Sequence, residues 1–208
     1  NIQSHGKWAM SFLKNIENNF DGHRKKNNYF ARIDGPYGSS SESILDDKNI
    51  VFVGSGKGVS KIASILQDIV FKKSSDPSSV QVENITFIWL SDNEFYLEWL
   101  KKILVKIHQS HSFNTFDYNI YFVNRKPAQI PDRMLYIEND ILSNSSNINL
   151  INMDSIKVFA GYPEWEKIIK IISSRNSGDL KLFLSGKIKN ENILKSACLS
   201  HKIIFKSI

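Results

Sequence analysis

The amino-acid sequence predicts an α/β protein: a parallel β-sheet with helices on both faces. Short runs rich in β-branched and aromatic residues alternate with stretches of helical periodicity, the pattern of successive βα units. Several of those runs end in small-residue turns that open the next helix. No run of about 18 uninterrupted apolar residues occurs, so no bilayer-spanning segment is expected.

The elements follow in order. Tyr29–Asp34 reads as a strand closed by Gly35-Pro-Tyr-Gly38, a turn with glycines on either side of a proline and tyrosine. Ile50–Val53 is a short apolar strand that runs into Gly54-Ser-Gly-Lys-Gly58. Val59, Ile62, Ala63, Leu66, Ile69 and Val70 then recur at helical spacing, and Ser74–Ser79, with Pro77, marks a loop. Ile85–Leu90 has the composition of a buried strand, and Phe95, Leu97, Leu100, Ile103, Leu104 and Ile107 restore helical periodicity. Tyr118–Val123 is the next strand. Residues 124–154, with Pro127, Pro131 and an Asn/Ser-rich stretch, read as a long connection or insertion. Ile156–Ala160 returns to strand, Gly161-Tyr-Pro163 turns the chain, and a helix runs from Trp165 to about Ser174. Lys181–Leu184 is a further strand closed by Ser185-Gly-Lys187; a helix over Glu191–Leu199 and a strand over Ile203–Lys206 complete the pattern.

Composition narrows the class. Hydrophobic residues at 41% and aromatics at 12% of 208 positions supply a core and exclude wholesale disorder. A net charge of +6 and a pI near 9.2 suit an anionic ligand, an acidic partner or a lipid surface. The basic residues are scattered rather than striped, which argues against a nucleic-acid-binding protein. A single cysteine, Cys198, excludes an internal disulfide framework and a Cys-rich zinc site. Asn1–Leu13 lacks the basic start and apolar centre of a signal peptide, and with no initial Met the chain is expected to be part of something larger.

The chemistry concentrates in the turns. Gly54, Gly56 and Gly58 follow a strand and open a helix, where glycines admit positive φ and close backbone approach, and where a helix N-terminus favours phosphate oxygens. The spacing is G-x-G-x-G, neither the dinucleotide G-x-G-x-x-G nor a Walker A motif. Gly54–Gly58, Gly161–Pro163 and Ser185–Lys187 each follow a strand and precede a helix, so a parallel sheet would gather them on its carboxyl rim.

The run Val53-Gly-Ser-Gly-Lys-Gly-Val-Ser-Lys-Ile-Ala-Ser-Ile-Leu66 resembles the C-terminal dehydrogenase region of the NADPH oxidase and ferric reductase superfamily, among the ferredoxin reductase-like flavoproteins. So do Asp34-Gly-Pro-Tyr-Gly38, Phe87–Leu90 with Glu98-Trp99, Gly161-Tyr-Pro-Glu-Trp165 and Phe183-Leu-Ser-Gly186, in the family's order. Gly6-Lys-Trp8 with Leu13 is similar to its G-x-W-T-x-x-L segment beside the flavin. The resemblance implies that residues 1–38 are the C-terminal remnant of an FAD-binding barrel and 39–208 an NAD(P)-binding domain. Gly54, Gly56 and Gly58 would let the pyrophosphate approach, Gly161 and Pro163 would shape the adenosine side, and Ser185 and Gly186 would lie near the nicotinamide, with Ser55, Lys57, Val59, Ser60, Ser91, Tyr162 and Lys187 as further cofactor-binding residues. Trp8, Gly35, Pro36, Tyr37 and Gly38 would lie near the flavin.

By the same resemblance, NADPH or NADH passes hydride to FAD and electrons go on to haem b in a transmembrane domain of the same polypeptide. This segment would be soluble at the cytosolic face, with regulatory proteins as further partners. The terminal acceptor would be oxygen or a ferric chelate, and the Gly-x-Pro-x-Trp match favours oxygen. The departures are specific. Ser91 and Tyr162 replace arginines that would grip a 2′-phosphate, Ser185 and Lys187 replace the cysteine and proline of Cys-Gly-Pro, Ser60-Lys61 replaces Thr-Pro, and Ile208 replaces an aromatic. They keep open a non-catalytic docking module that retains the fold. Trp89, Trp99 and Trp165 read as core, Cys198 as inert packing, and Asp46 and Asp47 as solvent-facing; His5, His23, His108, His111 and His201 read as surface groups rather than metal ligands.

Overall fold

The computed structural model describes residues 7–8, 10–12, 14, 42–92, 103–104, 107, 113–124, 156–176 and 178–208. Backbone contacts divide the chain into two units, Asn1–Gly38 and Ser39–Ile208. In the first, Lys7, Trp8, Met10, Ser11, Phe12 and Lys14 are helical. Trp8 and Phe12, one helical turn apart, stack with centroids 5.4 Å apart and planes 6° from parallel. The expected strand over Tyr29–Asp34 and, beyond Asn124, the insertion expected over 124–154 lie outside the described residues.

The second unit is built on a six-stranded, all-parallel sheet. Its strands are β1 (Asn49–Ser55), β2 (Asn84–Ser91), β3 (Thr115–Phe122), β4 (Ile156–Ala160), β5 (Leu180–Ser185) and β6 (Ile204–Ser207), in the spatial order β4-β3-β2-β1-β5-β6. Helices α1 (Val59–Ser75), α2 (Trp165–Arg175) and α3 (Glu191–Ser200) follow β1, β4 and β5. Every expected strand and helix within the described part of this unit is present, with ends shifted by at most a few residues.

The sequence accounts for these elements locally. Alternate residues of β1 feed opposite cores, Ile50 and Phe52 on one side and Val51 and Val53 on the other, so the strand is apolar over Ile50–Val53. Helix α1 buries Val59, Ile62, Ala63, Ile65, Leu66 and Ile69 along one stripe. It carries Lys72 and Lys73 in its last turn, where cations meet the negative end of the helix dipole, and ends at Asp76 before Pro77. The Asp76 carboxylate then accepts the Ser78 amide at 3.1 Å and starts the next turn.

Strand order decides which face each helix covers. From β1 to β4 the chain steps steadily toward one edge, so right-handed crossovers fall on a single face. There α1, with helical Leu104 and Ile107, packs on Phe52, Phe87, Tyr118 and Phe183. After β4 the chain doubles back to β5 on the far side of β1, and α2 and α3 cover the opposite face over Val51, Val53, Leu182 and Leu184. Phe52 and Phe183, fully buried with centroids 5.9 Å apart, each contribute roughly 1.5–3 kcal/mol of burial. The reversal makes the carboxyl ends of β1 and β5 the switch point of the sheet.

One expectation fails in the core. Asp46 is exposed, but Asp47 is only 7% exposed and ion-pairs with Lys181. Lys181 belongs to β5, which pairs directly with β1, so a residue 134 positions away supplies the charge that makes burial of Asp47 tolerable.

Candidate functional site: the carboxyl edge of the sheet

At the switch point the tips of β1 and β5 interlock. A Cβ on Gly58 would lie 2.1 Å from the Ser185 carbonyl oxygen, and one on Gly186 would lie 2.2 Å from the Ser55 carbonyl oxygen. Each loop therefore has a glycine where the other loop's backbone passes. Gly186 also has φ +96, a conformation that strains any L side chain. Gly54 is buried and makes room for Ile62 and Phe87, since its Cβ would come within 3.0 Å of Ile62 Cδ1.

Gly56 is different. Its φ is +51, and a Cβ there would meet nothing within 4 Å. Of the glycines in this run, it is the one whose backbone faces open space, beside exposed Lys57 and Ser60. The Ser60 hydroxyl donates back to the Lys57 carbonyl at 2.8 Å and ties the loop to the first turn of α1. A 3-10 turn over Gly56–Gly58 leads straight into α1; the Val59 amide donates to the Lys57 carbonyl, and neither Ser55 nor Gly58 supplies a side-chain cap. Val59 is buried and anchors that turn in the core, while Ser55 stays partly open.

The tip of β4 stands apart. Three strand spacings, about 14 Å, separate β4 from β1 along the edge. Gly161, φ +86 with open space around it, donates its amide to the Phe122 carbonyl at 2.9 Å and prolongs the β3–β4 ladder. Pro163 is buried, Glu164 is exposed, and Tyr162 projects with 44% of its surface exposed. The three turns thus share one rim, with the β1 and β5 loops interlocked through their backbones and the β4 turn apart from them. Strand order is the reason: β4 is the far edge strand.

Ser91 and Ser185 are buried, 2% and 3% exposed; the Ser91 carbonyl accepts the Val123 amide at 3.1 Å. The group that β2 offers at the rim is the next residue, exposed Asp92. Lys187 is exposed on the β5–α3 loop. Trp8 is exposed, whereas Gly35, Pro36, Tyr37 and Gly38 lie outside the described residues, as do Trp99, His5, His23, His108 and His111. Trp89 and Trp165 are core residues.

Sequence reading missed a groove of about 670 Å³ that runs along α2 beneath β2–β4. Asp117, Tyr121, Lys157, Phe159, Ile171 and Arg175 are among its lining residues. Burial raises the Asp117 carboxyl above its usual range against the opposing pull of Arg175 and Lys157, and burial with nearby Glu164 pushes the Tyr121 phenol up to about 12. Tyr121 and Phe159 stack at 4.6 Å. No periodicity announces such a groove, because it arises where the sheet extends past its covering helices.

Cys198 is fully buried on α3, and burial pushes its thiol up to about 11. The thiolate is the reactive form, so Cys198 is expected to resist a thiol reagent at pH 8 in the native chain and to label only on unfolding. Stoichiometric labelling without loss of structure would contradict that.

A family model described as the ferric reductase NAD-binding domain matches residues 47–198, nearly three quarters of the chain. Human NADPH oxidase 5 is 24% identical over 187 residues, covering 80% of this chain and 24% of the relative. The dual oxidase of Drosophila melanogaster is 25% identical over 204 residues, covering 95% of this chain and 13% of the relative. A superoxide-generating NADPH oxidase heavy chain of Dictyostelium discoideum is 24% identical over 169 residues, covering 80% of this chain and 31% of the relative. The chain therefore spans less than a third of the length of each of these relatives.

Proposed function

Because this chain belongs to the ferric reductase NAD-binding domain family, we propose that its carboxyl edge seats a nicotinamide dinucleotide, NADPH or NADH, as the electron-donor module of a membrane oxidoreductase. The observation that carries the reading is the β1–β5 interlock. It presents the open backbone of Gly56, at the head of the 3-10 turn that leads into α1, at the switch point, where a parallel sheet binds dinucleotides. The geometry fits a diphosphate: amide donors, a helix N-terminus, and exposed Lys57 and Lys187 on either side of the seam.

When bound, the dinucleotide supplies the hydride chemistry. The chain's own residues bind and orient it. Gly56, Lys57 and the first turn of α1 hold the pyrophosphate. Gly58 and Gly186 keep the two loops close enough to act as one seat, and Ser60 stiffens the loop. Ser185 contributes chiefly through its backbone, because it is buried under the Gly58 turn. The Gly161–Pro163 turn takes the adenosine side. No side chain here is required as nucleophile or general base.

The wider assignment is part of the same proposal. Residues 1–38 end a flavin-binding barrel with Trp8 and Gly35–Gly38 near FAD, and residues 39–208 form the NAD(P)-binding domain. Electrons pass by way of FAD to haem b in a transmembrane domain of the parent polypeptide, with this segment at the cytosolic face. Regulatory proteins are further partners. Oxygen is the proposed acceptor, supported by relatives named as NADPH oxidase and dual oxidase. Among the described residues no helix is long and apolar enough to cross a membrane.

Titration of the chain with NADPH and with NADH tests the reading. Saturable binding of at least one, with a Kd below about 1 mM and a matching rise in thermal midpoint, is expected. No heat and no thermal shift with either at millimolar concentration would replace it with the docking module.

A further inference from the structure

The tips of β4 and β5 make a second contact, through side chains. Lys189, on the β5–α3 loop, places its Nζ 5.8 Å from the ring centroid of Tyr162. Helices α2 and α3 pack side by side on one face, which brings together the loops that precede them. Tyr162 and Lys189 are both exposed, and no carboxylate among the described residues forms an ion pair with Lys189. Lys189 follows Gly186 by three residues, so its backbone lies within about 11 Å of the β1–β5 seam.

Lys157 and Lys167 line the groove that Tyr162 and Glu164 also line, but Lys189 is the cation that sits over the Tyr162 ring. Exposed Asp92 at the β2 tip and Glu164 beside Tyr162 are both acidic. A dianion on this side of the edge needs a local positive charge, and Lys57 and Lys187 belong to the seam. A cation held only by a ring face is weakly committed in water and is free to turn toward a phosphate, to which it makes charge-assisted hydrogen bonds. The exposed phenol ring is at the same time a flat surface on which a purine can stack.

We propose that Tyr162 and Lys189 form the clamp for the adenosine end of the dinucleotide, Tyr162 stacking on the adenine and Lys189 holding the 2′-phosphate. This rests on the dinucleotide reading above and deepens it. The chain distinguishes NADPH from NADH through a lysine on the loop after β5, with an aromatic ring at the position where the family resemblance implies an arginine.

The test titrates the chain, Lys189→Met and Tyr162→Leu with NADPH, NADH, adenosine 2′,5′-bisphosphate and AMP. For Lys189→Met, affinity for NADPH and the bisphosphate is expected to fall about tenfold or more, while NADH and AMP change less than about twofold. Tyr162→Leu weakens all four together. Both substitutions are on the surface, and an unchanged thermal midpoint verifies that each variant is folded. Equal weakening of NADPH and NADH by Lys189→Met, or no change in either, overturns the clamp while the dinucleotide seat stands. Failure of the unsubstituted chain to bind NADPH and NADH at all overturns the seat and the clamp together.

Discussion

Gly58→Ala is expected to lower stability by about 3 kcal/mol, whereas Gly56→Ala, two residues earlier, costs only about 1–2 kcal/mol. The two glycines look alike in sequence but do different things. At Gly58 the added methyl would sit 2.1 Å from the Ser185 carbonyl oxygen, 2.3 Å from its carbonyl carbon and 2.5 Å from the Gly186 nitrogen. All are backbone atoms, so no rotamer change relieves the clash, and the β1 and β5 tips must separate. At Gly56 the methyl meets nothing, and the cost is the strain of φ +51 alone. At about 2–4 °C per kcal/mol for a chain of this size, Gly58→Ala lowers the thermal midpoint by about 6–12 °C. If thermal denaturation finds the two variants equally stable, the interlock is wrong.

Trp165→Ala should cost about 3–5 kcal/mol, the range for truncating a buried aromatic. Trp165 opens α2, is 3% exposed, and shares an apolar cluster with Val53, Tyr121, Ile169 and Leu184. It lies two residues beyond the Gly161–Pro163 turn, so its packing holds the β4 tip in place. A lower denaturant midpoint with an unchanged m value is the expected signature of lost packing in a two-state unfolding. An alanine variant with a nearly unchanged midpoint and no dinucleotide binding would instead make Trp165 a ligand contact.

Much of the fold is legible because it is local. The stripe of Val59, Ile62, Ala63, Leu66 and Ile69 specifies α1 from a few turns of sequence, and Pro77 shows where it must have ended. The apolar run Ile50–Val53 of β1 and the composition of β2 mark central, doubly covered strands. Turn residues after β1, β4 and β5 locate the functional rim. Other features are not local. By the resemblance Ser91 and Ser185 fall at cofactor-binding positions, but the last residues of β2 and β5 are still inside the sheet, and both are buried. Asp47 reads as solvent-facing because its partner Lys181 is 134 residues away.

What the sequence by itself determined is the alternation of strands and helices, the family, and the gathering of glycine turns at strand ends. Each depends on propensity, periodicity or a motif contained within a short stretch of chain. Only the tertiary structure decided that Gly58 and Gly186 brace the β1 and β5 loops while Gly56 stays open, and that Lys189 reaches Tyr162. Those relations depend on which strands lie side by side and which helices share a face, and pairings between distant segments leave no period in the chain that forms them.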